Sequence, residues 1–187
     1  MVTLILFNRR ANMVMSNTDV LLLLQRGYVD IGFMGGAQID QYGNLNSSFI
    51  GDPDDPKIRL PGTGGGNDIA SLTQVIVAML HEKRRFVETV DYVTSTGFWR
   101  GGSSRADSGL ITGGPAEVVT NLAILGFDED SKRMKVLALH DGVSADQVRD
   151  NTGFDILFDS NIETTEPPTD DELAVLREFD PDRVYIA

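Results

Sequence analysis

The residues with the clearest capacity for chemistry form one short stretch, Leu60-Pro61-Gly62-Thr63-Gly64-Gly65-Gly66-Asn67-Asp68. Three successive glycines remove the Cβ atoms from this loop, so its backbone N–H groups can approach a ligand closely. Such amides can hold an anion, or the oxyanion that develops when a carbonyl carbon is attacked. A phosphate-binding P-loop is excluded because no Gly-Lys-Ser/Thr follows. The dinucleotide fingerprint is excluded because its third spaced glycine is missing. On spacing alone, a loop that merely turns tightly is an equally good reading. Lys57 and Arg59 stand immediately before the loop and offer local positive charge to an anionic ligand.

A second stretch, Gly35-Gly36-Ala37-Gln38-Ile39-Asp40-Gln41-Tyr42-Gly43-Asn44-Leu45-Asn46, places small residues before Gln38, which lets its amide lie beside a bound group. Tyr42-Gly43-Asn44 reads as a tight turn between strands, and Asp40 as a turn or cap residue rather than a base. The basic run His81-Glu82-Lys83-Arg84-Arg85 lacks a second histidine at metal spacing, which excludes a zincin. It reads as a solvated helix or loop with internal salt bridges. The chain has no cysteine and only two histidines, so disulfides, thiolate nucleophiles and cysteine metal sites are absent and no metal site is expected.

The whole-chain numbers narrow the class. The 187 residues, 41% hydrophobic and 24% charged, suit one globular domain. The net charge of −12 argues against nucleic acid and against an anionic membrane surface, both of which require clustered cations. No stretch has the roughly 18–20 apolar residues of a spanning helix, and the start is a poor signal peptide. The expectation is a soluble, cytoplasmic α/β domain. Its acidity comes mainly from aspartate and its basicity from arginine, which suits either a salt-adapted proteome or a GC-rich genome.

The elements that must position these residues read as follows. Residues 2–7 suit a buried strand. Ser16 with Asp19 marks a helix start and Gly27 its end, giving a helix over 17–26. Strands are predicted over 29–34, 74–80, 90–93, 117–125 and 134–139. Residues 35–70 read as a functional loop system. Ser144 with Gln147 and Thr169 with Glu172 are capping boxes that open a short helix and a helix over 172–179. Helices alternating with short apolar strands imply a three-layer α/β sandwich around a mixed or mostly parallel sheet.

Taken in order, the segments VDIGFMGGAQIDQYGNLNSSFIGD, PKIRLPGTGGGNDIAS, HEKRRFVETVDYVTS, EVVTNLAILGF and VSADQVRDNTGFD resemble the β subunits of class I CoA-transferases, in particular the glutaconate branch and more distantly the 3-oxoacid branch. The resemblance covers about residues 17–157. It implies a paired α subunit in a hetero-oligomer, acyl-CoA and carboxylic acids as substrates, and no bound cofactor. It also implies ping-pong transfer of CoA through a glutamyl thioester. Gly64 and Gly65 would be the oxyanion donors. Gly36, Ala37, Gln38, Asn44, Gly66 and Asn67 would line the substrate site, with Lys57 and Arg59 against the anionic CoA.

One departure stands out, because in this family the nucleophilic glutamate precedes the Gly-Ala-Gln segment, whereas here no glutamate precedes Glu82. The expectation is therefore a subunit-like domain, N-terminally incomplete, that is inactive alone. The alternatives are a partner chain in a split enzyme, an acyl-CoA hydrolase-like subunit of the same family, and a non-catalytic ligand-binding module.

Overall fold

The structure is a computed structural model and describes residues 13–183; the strand expected over 2–7 lies outside them. The first helix, α1 (Asn17–Gln25), starts where local chemistry places it. The Ser16 hydroxyl accepts from the Asp19 N–H at 3.2 Å, and the Asp19 carboxylate accepts from the Ser16 N–H at 3.3 Å. Gly27 ends it, with φ +75° and its N–H on the Leu24 carbonyl at 3.0 Å. After α1 come β1 (Ile31–Met34), β2 (Gln38–Ile39), β3 (Leu45–Asn46), β4 (Phe49–Gly51), β5 (Pro56–Arg59), α2 (Gly66–Leu72) and β6 (Gln74–Ala78). The rest of the chain forms α3 (Ser104–Asp107), β7 (Gly114–Val119), β8 (Ala123–Phe127), β9 (Met134–Leu139), α4 (Ala145–Asp150), β10 (Leu157–Thr164) and α5 (Asp170–Phe179).

Six of these strands form one sheet in the order β1-β6-β7-β8-β9-β10. The pairs β1–β6, β6–β7 and β9–β10 are parallel, and only β8 runs against its neighbours. The fold is thus α/β, with a mixed and mostly parallel central sheet flanked by helices, as the alternation of elements predicts. Val75 and Val77 of β6, Val118 of β7, Leu125 of β8 and Val136 of β9 bury one face of this sheet. Ala70 of α2, Leu45, Phe86 and Val148 of α4 pack onto the same core. No helix among the described residues is long and apolar enough to cross a membrane.

Several expectations change. Residues 35–70 are not an irregular loop; they fold into two small antiparallel hairpins, β2–β3 and β4–β5, and the start of α2. Strands of two to four residues are too short to show a period of two in sequence. Residues 90–93 form no strand, because the ladder contact falls just beyond them, where Thr94 and Ser95 bond Leu45. The single strand expected over 117–125 is the hairpin β7–β8. Thr120 makes that turn without glycine or proline: its hydroxyl oxygen accepts from the N–H groups of Leu122 and Ala123 at 3.1 and 3.0 Å. No strand is predicted over β10, whose apolar residues stand together at its start, Leu157 and Phe158, and are followed by a mostly polar run.

The contact between sheet and α2 depends on Gly32. A Cβ at this position would lie 2.4 Å from Ile69 Cγ2 and 3.0 Å from Thr73 Oγ1. The Ile69 methyl is on a branched Cβ with little freedom to yield. Gly32→Ala should therefore push α2 away from β1 and cost about 1–3 kcal/mol. Urea unfolding tests this: the midpoint should fall with the slope unchanged, and an unshifted midpoint would contradict the packing argument.

Candidate functional site

The glycine loop is held at both ends, and its middle is left open. The Leu60 N–H bonds the Ser48 carbonyl at 2.9 Å. The Gly62 N–H bonds the Ser47 carbonyl at 2.8 Å, while the Ser47 hydroxyl donates back to the Gly62 carbonyl at 2.9 Å. At the far end the Gly66 N–H reaches the Thr63 carbonyl at 2.7 Å, and the Asn67 N–H reaches the Thr63 hydroxyl at 3.0 Å. Between these anchors the N–H groups of Thr63, Gly64 and Gly65 have no protein acceptor among the described residues. Gly62 and Gly64 have φ +91° and +50°, a region that side chains disfavour. The backbone thus presents three successive free donors on an open surface, the two glycine amides among them, an arrangement that suits a developing negative charge.

The loop is registered by the hairpins beneath it. Gln38 is buried, and its amide oxygen accepts from Asn46 Nδ2 at 2.7 Å and from the Asp91 N–H at 3.1 Å. Its Nε2 donates to Asp91 Oδ2 at 3.2 Å, and that same oxygen accepts from the Gly51 N–H at 2.8 Å. Asp91 therefore joins both hairpins. Thr94 joins them to the glycine loop, since its hydroxyl accepts from the Ser47 N–H at 2.9 Å.

The turn after Gln38 is equally closed. Asp40 Oδ1 accepts from the N–H groups of Tyr42 and Asn44 at 2.9 and 3.1 Å, as its reading as a turn residue predicts. Asn44 Nδ2 donates to Asp40 Oδ2 and to the Trp99 carbonyl, both at 2.8 Å, and Asn44 Oδ1 accepts from the Gly97 N–H at 2.9 Å. The side chains of Gln38 and Asn44, expected as substrate contacts, are thus consumed within the protein. They form the framework of the site. Sequence reasoning missed Asp91 and Thr94, because one aspartate among twenty and one more threonine carry no local signal.

Of the remaining residues, Gly36 is partly accessible, with its carbonyl 3.4 Å from Arg85 Nη1, and the Ala37 N–H is committed to the Asn46 carbonyl. Lys57 and Arg59 alternate along β5, both exposed, and no carboxylate among the described residues pairs with either. The basic run departs from its solvated reading at its first residue. His81 is buried, stacked on Phe86 with ring centroids 4.0 Å apart, between the hydroxyls of Thr120 and Thr152 at 3.2 and 3.0 Å. Glu82 pairs with Arg84 and Arg85 as expected. No group of three or more His, Asp or Glu among the described residues could hold a metal ion.

Two buried groups make stability depend on pH in opposite senses. Burial lowers the His81 pKa from 6.5 to about 4. Burial raises Asp40 from 3.8 to about 6, outweighing the Asn44 and Tyr42 donors that favour its carboxylate. As pH falls from 6.5 to 4, the unfolded chain protonates its histidine before the fold does, so the His81 contribution is lost. As pH falls through 6 the fold protonates Asp40 before the unfolded chain does, so stability is gained. His81→Gln removes only the first effect. Its stability deficit against the parent protein should shrink by about 2–3 kcal/mol between pH 7 and about pH 4.5. Urea titrations across that range check this, and a constant deficit would refute the neutral, buried histidine.

Known proteins resemble this chain in sequence and in fold. The sequence profile of the coenzyme A transferase family matches residues 6–151. The chain is 45% identical over 157 residues to the B-type subunit of the glutaconate CoA-transferase of Acidaminococcus fermentans, covering 83% of this chain and 59% of that protein. It is 41% identical over 155 residues to the B-type subunit of the 3-oxoadipate CoA-transferase of Pseudomonas knackmussii, covering 82% and 60%. It therefore spans about three fifths of the length of these curated relatives. The crystal structure of the glutaconate coenzyme A-transferase from Acidaminococcus fermentans superposes with a TM-score of 0.88 at 40% identity, over 95% of this chain and 70% of that one. A profile match across most of the chain, on a fold that superposes this closely, establishes that the chain belongs to the coenzyme A transferase family.

Proposed function

We propose that this chain acts as the B-type subunit of a heteromeric, cytoplasmic CoA-transferase that moves CoA between organic acids of the glutaconate or 3-oxoacid type. The observation that carries this reading is the run of free amides at Thr63, Gly64 and Gly65, between the engaged N–H groups of Gly62 and Gly66. In the proposed reaction a glutamate carboxylate attacks the thioester carbonyl, and the collapsing tetrahedral intermediate expels CoA as its thiolate. The product is a mixed anhydride. The thiolate attacks the anhydride at the glutamyl carbonyl, releasing the first acid as its carboxylate and leaving a glutamyl-CoA thioester. A second carboxylic acid takes CoA by the reverse sequence.

The two glycine amides would bind the oxyanion of each tetrahedral species, a contribution of roughly 3–4 kcal/mol per donor in comparable sites. Gly36, Ala37, Gly66 and Asn67 would border the acyl group, with Gln38 and Asn44 holding that border in shape. Lys57 and Arg59 would meet the phosphates of CoA, which an acidic protein otherwise repels. No glutamate lies in residues 1–81, so the nucleophile is proposed to come from outside this sequence. The A-type subunit is the proposed partner.

The test is CoA exchange between an acyl-CoA and a free carboxylate, by the chain alone and co-expressed with an A-type subunit. Exchange should require the complex and, within it, a polypeptide that carries the nucleophilic glutamate. A glutamyl-CoA adduct carried by this polypeptide alone would overturn the placement of the nucleophile. The double substitution Lys57→Ala/Arg59→Ala should raise KM for the CoA thioester roughly tenfold and leave kcat nearly unchanged, the pattern of lost uniform binding. Steady-state kinetics at low and high salt check this, since screening should narrow the difference.

A further inference from the structure

Arg105 of α3 is buried to 5% exposure, and no carboxylate is among its partners. A buried charge without an ion pair is costly unless its hydrogen-bonding capacity is met. Here four backbone carbonyls meet it. Nη1 donates to Thr96 and Gly97 at 2.9 and 2.7 Å, and Nη2 donates to Ala70 and Thr112 at 2.8 and 2.7 Å. The planar guanidinium fork thereby joins three separate segments, which the point charge of a lysine cannot do.

One of those carbonyls belongs to the last turn of α2, the helix that the glycine loop enters. The closing carbonyls of a helix have no partner within it; in α2 the cap residue Thr73 serves the first of them, and distant residues serve the next two. Ile69 accepts from the Thr73 N–H and hydroxyl at 3.0 and 2.9 Å, Ala70 from Arg105, and Ser71 from the Thr112 hydroxyl at 3.1 Å. At the other end the N-cap is Gly65, which has no side chain of its own, and the Thr63 hydroxyl accepts from the Asn67 N–H at 3.0 Å. A helix of seven residues does not hold itself together in water. Packing and the anchored C-terminal end set where the helix lies, and the free amides of Gly64 and Gly65 stand where the loop enters it, beside the Thr63 anchor. The same guanidinium holds the Thr96 and Gly97 carbonyls, next to Ser95, whose Oγ lies 3.0 Å from where a Cβ on Gly66 would stand.

We propose that Arg105 is a positioning residue that sets the place of the Gly64 and Gly65 amides through the C-terminal end of α2. The inference rests on the transferase reading only for its kinetic consequence. Its structural half stands apart from that reading.

The experiment compares Arg105→Met and the milder Arg105→Lys with the parent chain, each in the co-expressed complex. Two quantities are read, amide hydrogen exchange by segment and CoA-exchange kinetics. Exchange over residues 63–72 should accelerate at least about tenfold, with protection in β8 and β9 unchanged. The value of kcat should fall by about a hundredfold, the scale expected when reacting groups are displaced by an ångström, and KM should move far less. If Met at this site prevents folding, the lysine variant supplies the same comparison with a smaller effect. Equal acceleration across loop and core would overturn the proposal and leave Arg105 a general stabiliser. Unchanged exchange over 63–72 would overturn it as well. If the parent complex transfers no CoA, the transferase reading fails, and the exchange pattern alone still decides the role of Arg105.

Discussion

The structure around the glycine loop depends on one constraint. A chain segment with almost no ladder of its own must satisfy its buried polar groups. Between β1 and α2 the chain folds as two small hairpins, and β2 and β3 have two residues each. Buried N–H and C=O groups there cannot be left to water. The side chains of Gln38, Asp40, Asn44, Asn46, Asp91 and Thr94 supply the partners instead. No buried side-chain nitrogen or oxygen among the described residues lacks one. Such a closed network is worth only about 1 kcal/mol per bond, but breaking one member strands another in a low-dielectric interior. The segment is held to one arrangement for that reason.

From this network the order passes outward. Ser47 is fixed by Thr94 and bonds Gly62 in both directions, which sets the entry of the glycine loop. Packing at Gly32 and the tertiary donors at the end of α2 set its exit. Two rigid anchors therefore flank three amides that the protein does not use, those of Thr63, Gly64 and Gly65. Side chains build the framework, and backbone N–H groups face the surface. The division suits a site that must stabilise a transient negative charge without reorganising.

How much of this was legible in the sequence can be argued element by element. Both predicted capping boxes, at Ser144 and Thr169, form with both of their bonds, and the helix start predicted at Ser16 is a capping box as well, because a few neighbouring residues are enough to specify them. Strand β9, Met134–Leu139, was legible from its apolar alternation. The hairpins in 35–70 and the turn at Thr120 were not, since their strands are short and no glycine or proline marks that turn. Gln38 and Asn44 drew notice as substrate contacts, and the fold engages both side chains in hydrogen bonds within the protein. A polar side chain beside glycines looks available until the fold shows what has claimed it. Asp91, Thr94 and Arg105 are typical surface residue types, and nothing local marks them as buried hubs.

The sequence by itself determined the class of the protein, an acidic α/β chain without cysteine, and the ordered motifs that resemble the CoA-transferases. It also determined that residues 1–81 hold no glutamate to serve as a nucleophile. Those properties depend on residue identity and on spacings of a few positions. Tertiary structure alone decided which amides of the glycine loop are free, which polar residues are spent on the framework, and which arginine is buried. Each of those outcomes depends on partners brought from distant parts of the chain, such as Asp91 to Gln38 and Arg105 to Ala70. Hydrogen bonding is short-ranged in space and indifferent to separation along the chain.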